Sequence, residues 1–329
     1  MENGRKQQSY PLVSVIVPTY NHERYITKAL DSILMQEGDF KYEILVGDDA
    51  SQDRTVSILK SYKEQYPDKI HLFLNSQNMG ATRNSYQLLS HARGKYLATC
   101  EGDDYWSDPR KLLSQIKFME KHPDLIGCVH YCRLVDENGN KWRNQKLSWI
   151  HYKNRFTLND FQGLFMPGQP STFFRKNIIS EINDLKLMYQ LHPQIGDRTL
   201  MMLFLLHGDF GIIPEIMGSY RKRRKNRQSI TDLLYRNKID GWMEDYRLIL
   251  QYEQYCREHG AKVNFLRGQS ALLGKTYCWY LLKRDKKCIR FIRQILHRTS
   301  SKFSLVCWSI LYALQLGFDF IVGTMGDEK

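Results

Sequence analysis

Four short β-branched or aromatic runs, each followed by residues at helical spacing, restrict what the first third of this chain can fold into. Leu12 to Val17 (LVSVIV) is closed by Pro18, and Tyr25, Ile26, Ala29, Leu30, Ile33 and Leu34 then recur along one helical face until Gly38. Tyr42 to Val46 (YEILV) runs into Gly47-Asp48-Asp49, and Val56, Ile58, Leu59 and Tyr62 mark a second helix ending before Pro67. Ile70 to Leu74 predicts a third strand, Ala81 to Ala92 a third helix, and Lys95 to Cys100 (KYLATC) a fourth strand. Strands separated by helices cannot close as hairpins. They require crossovers, hence an α/β fold with a mostly parallel sheet buried on both faces.

Ligands of such sheets bind beyond the carboxyl ends of the strands, which selects three loops. These are Pro18-Thr19-Tyr20-Asn21, Asp48 to Asp53 (DDASQD), and the loop after the fourth strand, Cys100 to Trp106 (CEGDDYW). The third loop sets Glu101, Asp103 and Asp104 close together, and neighbouring carboxylates repel. A helix start follows, with Ser107 and Asp108 offering capping oxygens, Pro109 at the first helical position, and Leu112, Leu113, Ile116, Phe118 and Met119 on the apolar face. Oxygen donors at such a turn suit a hard cation, Mg²⁺ or Mn²⁺, completed by substrate phosphates. Taken alone, Asp103 and Asp104 read first as solvated residues of a helix-capping turn.

The chain has 329 residues, 42% of them hydrophobic, enough for one large or two smaller cores. Its seven cysteines are odd in number and form no CxxC pair, so a disulfide framework is not expected and a reducing compartment is. Met1 to Tyr10 is polar and lacks an apolar secretory core, which places the chain in the cytoplasm as an expectation. The net charge of +13 calls for an anionic partner. No basic-aromatic recognition module accompanies that charge, so nucleic acid is not the expected partner.

The segments VSVIVPTYN, VGDDASQD, Asn78-Met79-Gly80 with Arg83-Asn84, and CEGDDYWSDPRK follow one another at successive strand ends. In this order they resemble the glycosyltransferase family 2 enzymes of the GT-A fold, from the first strand to about Arg221. The resemblance implies a nucleoside diphosphate sugar donor, usually UDP-linked, with Pro18, Thr19, Tyr20 and Asn21 around base and ribose. It implies that Asp49 accepts a hydrogen bond from uracil and that Arg83 lines the nucleotide pocket. Asp103 and Asp104 match the DxD element, Asp104 as metal ligand and Asp103 on ribose or metal-bound water. Glu101 stands where many relatives carry the first Asp. Asp197, opening an apolar helix in QIGDRTL, matches the general base of an inverting displacement; read without the family it is an N-cap. Gly168 to Arg175 resembles the lining of the acceptor side. Many relatives continue with Tyr-Arg-x-His, whereas this chain has Tyr220-Arg221-Lys222-Arg223. Arginine clamps phosphate but ligates no metal, which implies a weaker metal dependence.

Beyond residue 228 the alternation stops, and Leu233 to Tyr255, Leu266 to Leu282 and Cys288 to Leu296 read as helices. Lys283 to Lys302 is strongly basic, with Cys288, Phe291, Ile292, Ile295 and Leu296 along one face, the pattern of a helix lying on an anionic membrane surface or, alternatively, packed on the catalytic domain or a second subunit. Phe303 to Met325 is apolar but broken by Ser304, Ser309, Gln315, Gly317 and Asp319, which argues against a membrane span. The expected organisation is a tail over 1–10, a GT-A domain over 11–227 and a helical region over 228–329. The expected function is a metal-dependent inverting transferase. It moves a sugar from a UDP-sugar to a surface polysaccharide or lipid-linked glycan precursor, on the cytoplasmic side of the plasma membrane. A non-catalytic nucleotide-sugar binding or assembly subunit is the alternative. A glycosidase also uses two carboxylates, but has no use for nucleotide loops at strand ends.

Overall fold

The computed structural model describes residues 11–142, 153–222, 234–298, 304–307 and 309–310. The expectations for the tail over 1–10, for Arg223 and for most of 303–325 lie outside these residues. Two compact units are present: within the described residues the first takes 11–141, 153–156 and 167–222, and the second 142, 157–166 and the residues from 234 onward. The second thus takes in 157–166, from the middle of the chain.

In the first unit the expected alternation is realised as β1 (Val13–Thr19), α1 (Ile26–Leu34), β2 (Tyr42–Asp48), α2 (Thr55–Gln65), β3 (Ile70–Leu74), α3 (Ala81–His91) and β4 (Tyr96–Thr99). There follow β5 (Tyr105–Trp106), α4 (Lys111–Lys121), β6 (Gly127–Val135), β7 (Arg155–Phe156), β8 (Phe173–Lys176), α5 (Leu187–Leu191), α6 (Gly196–Leu205) and β9 (Phe210–Arg221). Among the described residues these nine strands form one sheet in the order β3-β2-β1-β4-β8-β6-β9-β5, with β7 beside β9. The half made of β3, β2, β1 and β4 is parallel throughout. Beyond β4 the pairing is mixed: β8 runs antiparallel to β4 and β6, and β9 runs parallel to β6.

Val13, Val15, Val17, Ile44 and Val46 are fully buried, as a doubly covered parallel sheet requires. Ile26, Ala29, Leu30 and Ile33 of α1 pack into the same core. Near the amino ends of β1 and β2, buried Glu43 accepts from the Ser14 hydroxyl (2.6 Å) and from the half-exposed Arg93 guanidinium (2.6 Å). Burial raises the Glu43 pKa, but the Arg93 and Ser14 bonds outweigh it and hold the pKa below the usual value.

Two boundaries differ from expectation. Helix α4 starts at Lys111 rather than at Pro109, because Asp108 Oδ1 accepts from Arg110 N (2.8 Å) and closes a turn of its own. Tyr105 and Trp106 join the sheet as β5, opposite Ser219 and Gly218 of β9. A two-residue strand carries no periodicity to detect.

The second unit contains Leu158–Phe161, Lys238–Glu258, Leu266–Lys283 and Lys286–Arg298 as helices. Lys238–Glu258 begins where the Asn237 side chain accepts from Ile239 N. Gln162, left-handed at φ 50° and buried, accepts from Arg267 N through Oε1 (2.9 Å) and donates to Asn159 O through Nε2 (2.9 Å). Phe291 packs edge-on against Tyr246 at 5.8 Å, and Cys288, Phe291 and Ile295 are buried. The apolar face expected to lie on a membrane is therefore covered by the protein's own helices. No helix among the described residues is long and apolar enough to cross a membrane.

Phe174 tests the sheet order. It is fully buried on β8, facing Ala98 and Cys128 on the two flanking strands and Tyr96 at 4.9 Å. Phe174→Ala is expected to cost about 3–5 kcal/mol, read as a lower urea midpoint. An unchanged midpoint would contradict this position.

Candidate active site

The three loops chosen from the sequence lie together at the carboxyl end of the parallel half-sheet, and the backbone stitches them to one another. Gly102 N donates to Pro18 O (3.0 Å) and Asp49 N to Thr19 O (3.0 Å). Asn21, at φ 53°, donates from its backbone to Ser51 Oγ (2.8 Å) and accepts from Gln52 N through Oδ1 (2.8 Å). Asparagine tolerates that left-handed geometry better than most residues. Gly102 is needed for a different reason: a Cβ there would meet Thr19 Oγ1 at 2.7 Å and His22 Nδ1 at 2.8 Å. The first and third loops close only without a side chain at this point.

The acidic loop turns on itself, with Asp104 N donating to Glu101 O (2.9 Å), and it sends its carboxylates in different directions. Asp104, expected as the metal ligand, faces the interior. It is 1% exposed; Oδ2 accepts from the Ser171 hydroxyl (2.6 Å) and Oδ1 from Arg221 N (2.8 Å). Ser171 Oγ also accepts from Glu101 N (3.0 Å), so one hydroxyl fixes both ends of the turn. Arg221 is buried, donates through Nε to Asp103 O (2.8 Å) and through Nη1 to Asp136 O (3.0 Å), and lies 4.5 Å over the Tyr25 ring. Asp103 is the partly exposed carboxylate of the pair, at 3.8 Å from His22 Nε2.

Negative charge accumulates here. Burial, and then Asp104, Asp103 and Asp197, raise the Glu101 pKa well above its usual value. Burial and the Asp103 charge push Asp104 up to about 8, against the bonds from Ser171 and Arg221. Burial and then Glu101, Asp104, Asp103 and Asp197 also raise the Tyr220 hydroxyl. Four carboxylates on two chain segments act on one region.

The other expected residues divide between rim and interior. Tyr20 is 41% exposed at the end of β1, Pro18 is half-buried and Thr19 is buried. Arg83 is exposed on α3, with its guanidinium 5.0 Å over the Tyr189 ring. Asp49 is 2% exposed, and its carboxylate already accepts from Met79 N and Gly80 N at 2.8 Å each. Asp197 is exposed in the first turn of α6, but the capping position belongs to Ile195. His192 Nδ1 accepts from Gln194 N (3.0 Å) and Ile195 N (3.1 Å) and thus supplies the cap that Ile195 lacks. Gly196 ties this helix start to α3, since a Cβ there would lie 2.3 Å from Thr82 Cγ2.

Sequence reasoning missed the supports behind these groups. Ser171 was placed in an acceptor-side segment, and Arg221 entered as part of a family pattern; both instead lock the acidic loop. Lys111 is fully buried, donates to Gln115 Oε1 (2.7 Å) and sits 3.8 Å over the Trp106 ring; burial lowers its pKa to about 7. A lysine opening an amphipathic helix gives no signal of such burial.

Residues 14–182, just over half of the chain, match the family described as Glycosyl transferase family 2. This chain belongs to glycosyltransferase family 2. An uncharacterized protein, Rv1520 of Mycobacterium tuberculosis, is 43% identical over 219 residues, covering 64% of this chain and 58% of its own length. The putative teichuronic acid biosynthesis glycosyltransferase TuaG of Bacillus subtilis is 38% identical over 127 residues, 39% of this chain and 49% of its own. Among solved structures, S. aureus TarS 1–349 in complex with UDP-GlcNAc superposes with a TM-score of 0.60 at 20% identity, covering 86% of this chain and 79% of that one. The fold of this family 2 chain is GT-A, with a helical C-terminal region.

Family membership raises the question of a divalent cation. Among the described residues no three His, Cys, Asp or Glu side chains are grouped as a ready cage. Glu101 and Asp103 are hard oxygen donors in a region of concentrated negative charge, a donor set that suits Mg²⁺ or Mn²⁺ completed by substrate oxygens. Asp104, with both oxygens engaged, fits a structural role.

Two outcomes follow for this family 2 site. Ser171→Ala leaves the buried Asp104 carboxylate short of a donor and is expected to cost about 1–3 kcal/mol in chemical unfolding. Asp104 ionises near 3.8 when unfolded and near 8 when folded, so between those values the folded state holds the extra proton. Stability of the metal-free protein then falls as pH rises through that window. Asp104→Asn should be less sensitive, and thermal melts at about pH 5 and about pH 8 measure the difference.

Proposed function

We propose that this protein transfers one sugar from a nucleoside diphosphate sugar, UDP-linked, to a hydroxyl of a surface polysaccharide or lipid-linked glycan precursor, with inversion at the anomeric carbon. The observation carrying this reading is the convergence of Glu101 and Asp103, on a loop locked by Gly102, Ser171 and Arg221, with Asp197 from the first turn of α6 at the carboxyl end of a GT-A sheet. The UDP-GlcNAc complex of TarS and the similarity to TuaG, a putative teichuronic acid biosynthesis glycosyltransferase, support the classes of donor and acceptor.

Pro18, Thr19, Tyr20 and Asn21 form the donor side, with the exposed Tyr20 ring available to a base or ribose. Asp49 shapes that side by fixing Met79 and Gly80; a contact to uracil would use a carboxylate the fold has already oriented. Arg83, stacked on Tyr189, offers a guanidinium to the diphosphate. Asp103, with Glu101 beside it, would hold the Mg²⁺ or Mn²⁺, which when bound would supply Lewis-acid stabilisation to the departing diphosphate. Asp104 keeps Asp103 in place.

Asp197 accepts the proton of the attacking hydroxyl. Its exposure in the first turn of α6 leaves it reachable by an acceptor, and the turn backbone holds it through the bond from Arg198 N to Oδ1 (2.8 Å). The bond to the anomeric carbon forms as the bond to the diphosphate oxygen breaks, and the diphosphate leaves with the electron pair.

The test is turnover of UDP-sugars, scored as released UDP with and without acceptor glycans. Asp197→Asn is expected to lower kcat about 10²–10⁴-fold with donor binding retained. Asp103→Ala should abolish the gain in thermal stability that donor plus Mn²⁺ confers on the wild type. Donor binding without turnover across a broad acceptor panel would favour a binding subunit instead.

A further inference from the structure

In the second unit, Leu266–Lys283 is buried over its first half and emerges over its second. Tyr277 is 51% exposed, Leu281 48% and Leu282 76%, a ridge of three large apolar side chains at one helix end. Just behind it, the Trp279 ring lies under Lys238 Nζ (4.6 Å) and Lys283 Nζ (5.9 Å). Arg284, left-handed at φ 53°, turns the chain into Lys286–Arg298. That helix buries Cys288, Phe291 and Ile295 against its own unit and leaves Lys286, Lys287, Arg290 and Arg293 exposed. From Lys275 to Arg298 there are eight Lys and Arg residues and one acid, Asp285.

We infer that this ridge and its cationic collar form a docking surface for an anionic lipid bilayer. Tyr277, Leu281 and Leu282 enter the boundary between headgroups and acyl chains, while Lys283, Lys286, Arg290 and Arg293 engage the anionic headgroups. Charge complementarity selects this occupant: a broad, uniformly negative surface matches the segment 275–298, with one acid among eight bases, of which Lys287 is paired with Asp240 (3.5 Å). Attachment is peripheral, since no described helix is long and apolar enough to span a membrane. The lipid-facing groups are thus the exposed end of Leu266–Lys283, and not the apolar stripe of the next helix that the sequence pattern suggests. The inference is independent of the transfer reaction.

Flotation of the full chain with vesicles of phosphatidylcholine alone, or with added phosphatidylglycerol, tests it. The wild type should float with the anionic vesicles, not with the neutral ones, and lose binding in high salt. Combined Tyr277→Ser, Leu281→Ser and Leu282→Ser should weaken binding at least about tenfold, and combined Lys286→Glu, Arg290→Glu and Arg293→Glu about a hundredfold or more. All six positions are partly or fully exposed, and thermal melts confirm that both variants fold. Absence of wild-type binding, or undiminished binding of the serine variant, would overturn the proposal. So would a wild-type dimer that dissociates on the serine substitutions and ignores lipid, since a second copy would then cover the ridge.

Discussion

One buried carboxylate organises the candidate site. Asp104 accepts from the Ser171 hydroxyl and from Arg221 N, and these bonds join the loop after β4, the turn entering β8 and the end of β9. These segments lie far apart in sequence. A polar group taken out of water must be hydrogen-bonded there, so the loop has one low-energy arrangement rather than many. Asp103 inherits its direction from that arrangement. Arg221 extends the effect by binding the Asp103 carbonyl and capping the backbone at Asp136.

The same logic separates residues buried as hydrogen-bonded supports from residues left exposed at the strand ends. Asp49 and Asp104 are both members of Asp-Asp pairs at strand ends, and both prove to be staples for backbone or side-chain donors. Tyr20, Arg83, Asp103 and Asp197 are the groups left at least partly exposed. Pre-organisation of this kind matters for group transfer, because donors and charges fixed before the reaction cost no reorganisation during it.

Much of the fold was legible because it is local. The βα alternation from β1 to β4 follows from hydrophobic period and breaker residues, and each expected strand and helix there is present within a residue or two. The mixed half of the sheet was not legible: β5 is two residues long, and β9 pairs with β5, β6 and β7 through contacts that no periodicity encodes. At the site, position at the strand ends singled out the three loops, and the family resemblance singled out Asp197. Neither showed that Asp104 turns inward while Asp103 stays partly exposed, since adjacent residues of one type differ only in the direction the backbone gives them.

The amphipathic stripe of Lys286–Arg298 makes the same point outside the site. Its period was read correctly, but a stripe does not say what covers it, and Tyr246 and its neighbours do. Sequence alone therefore determined the elements, their order and the loops on which acidic chemistry gathers, because propensity and period act over a few residues. Tertiary structure alone decided which carboxylate turns inward, which hydroxyl and arginine fix it, and which apolar face stays exposed. Those outcomes depend on burial and on partners distant in the chain, and both exist only once the sheet has closed.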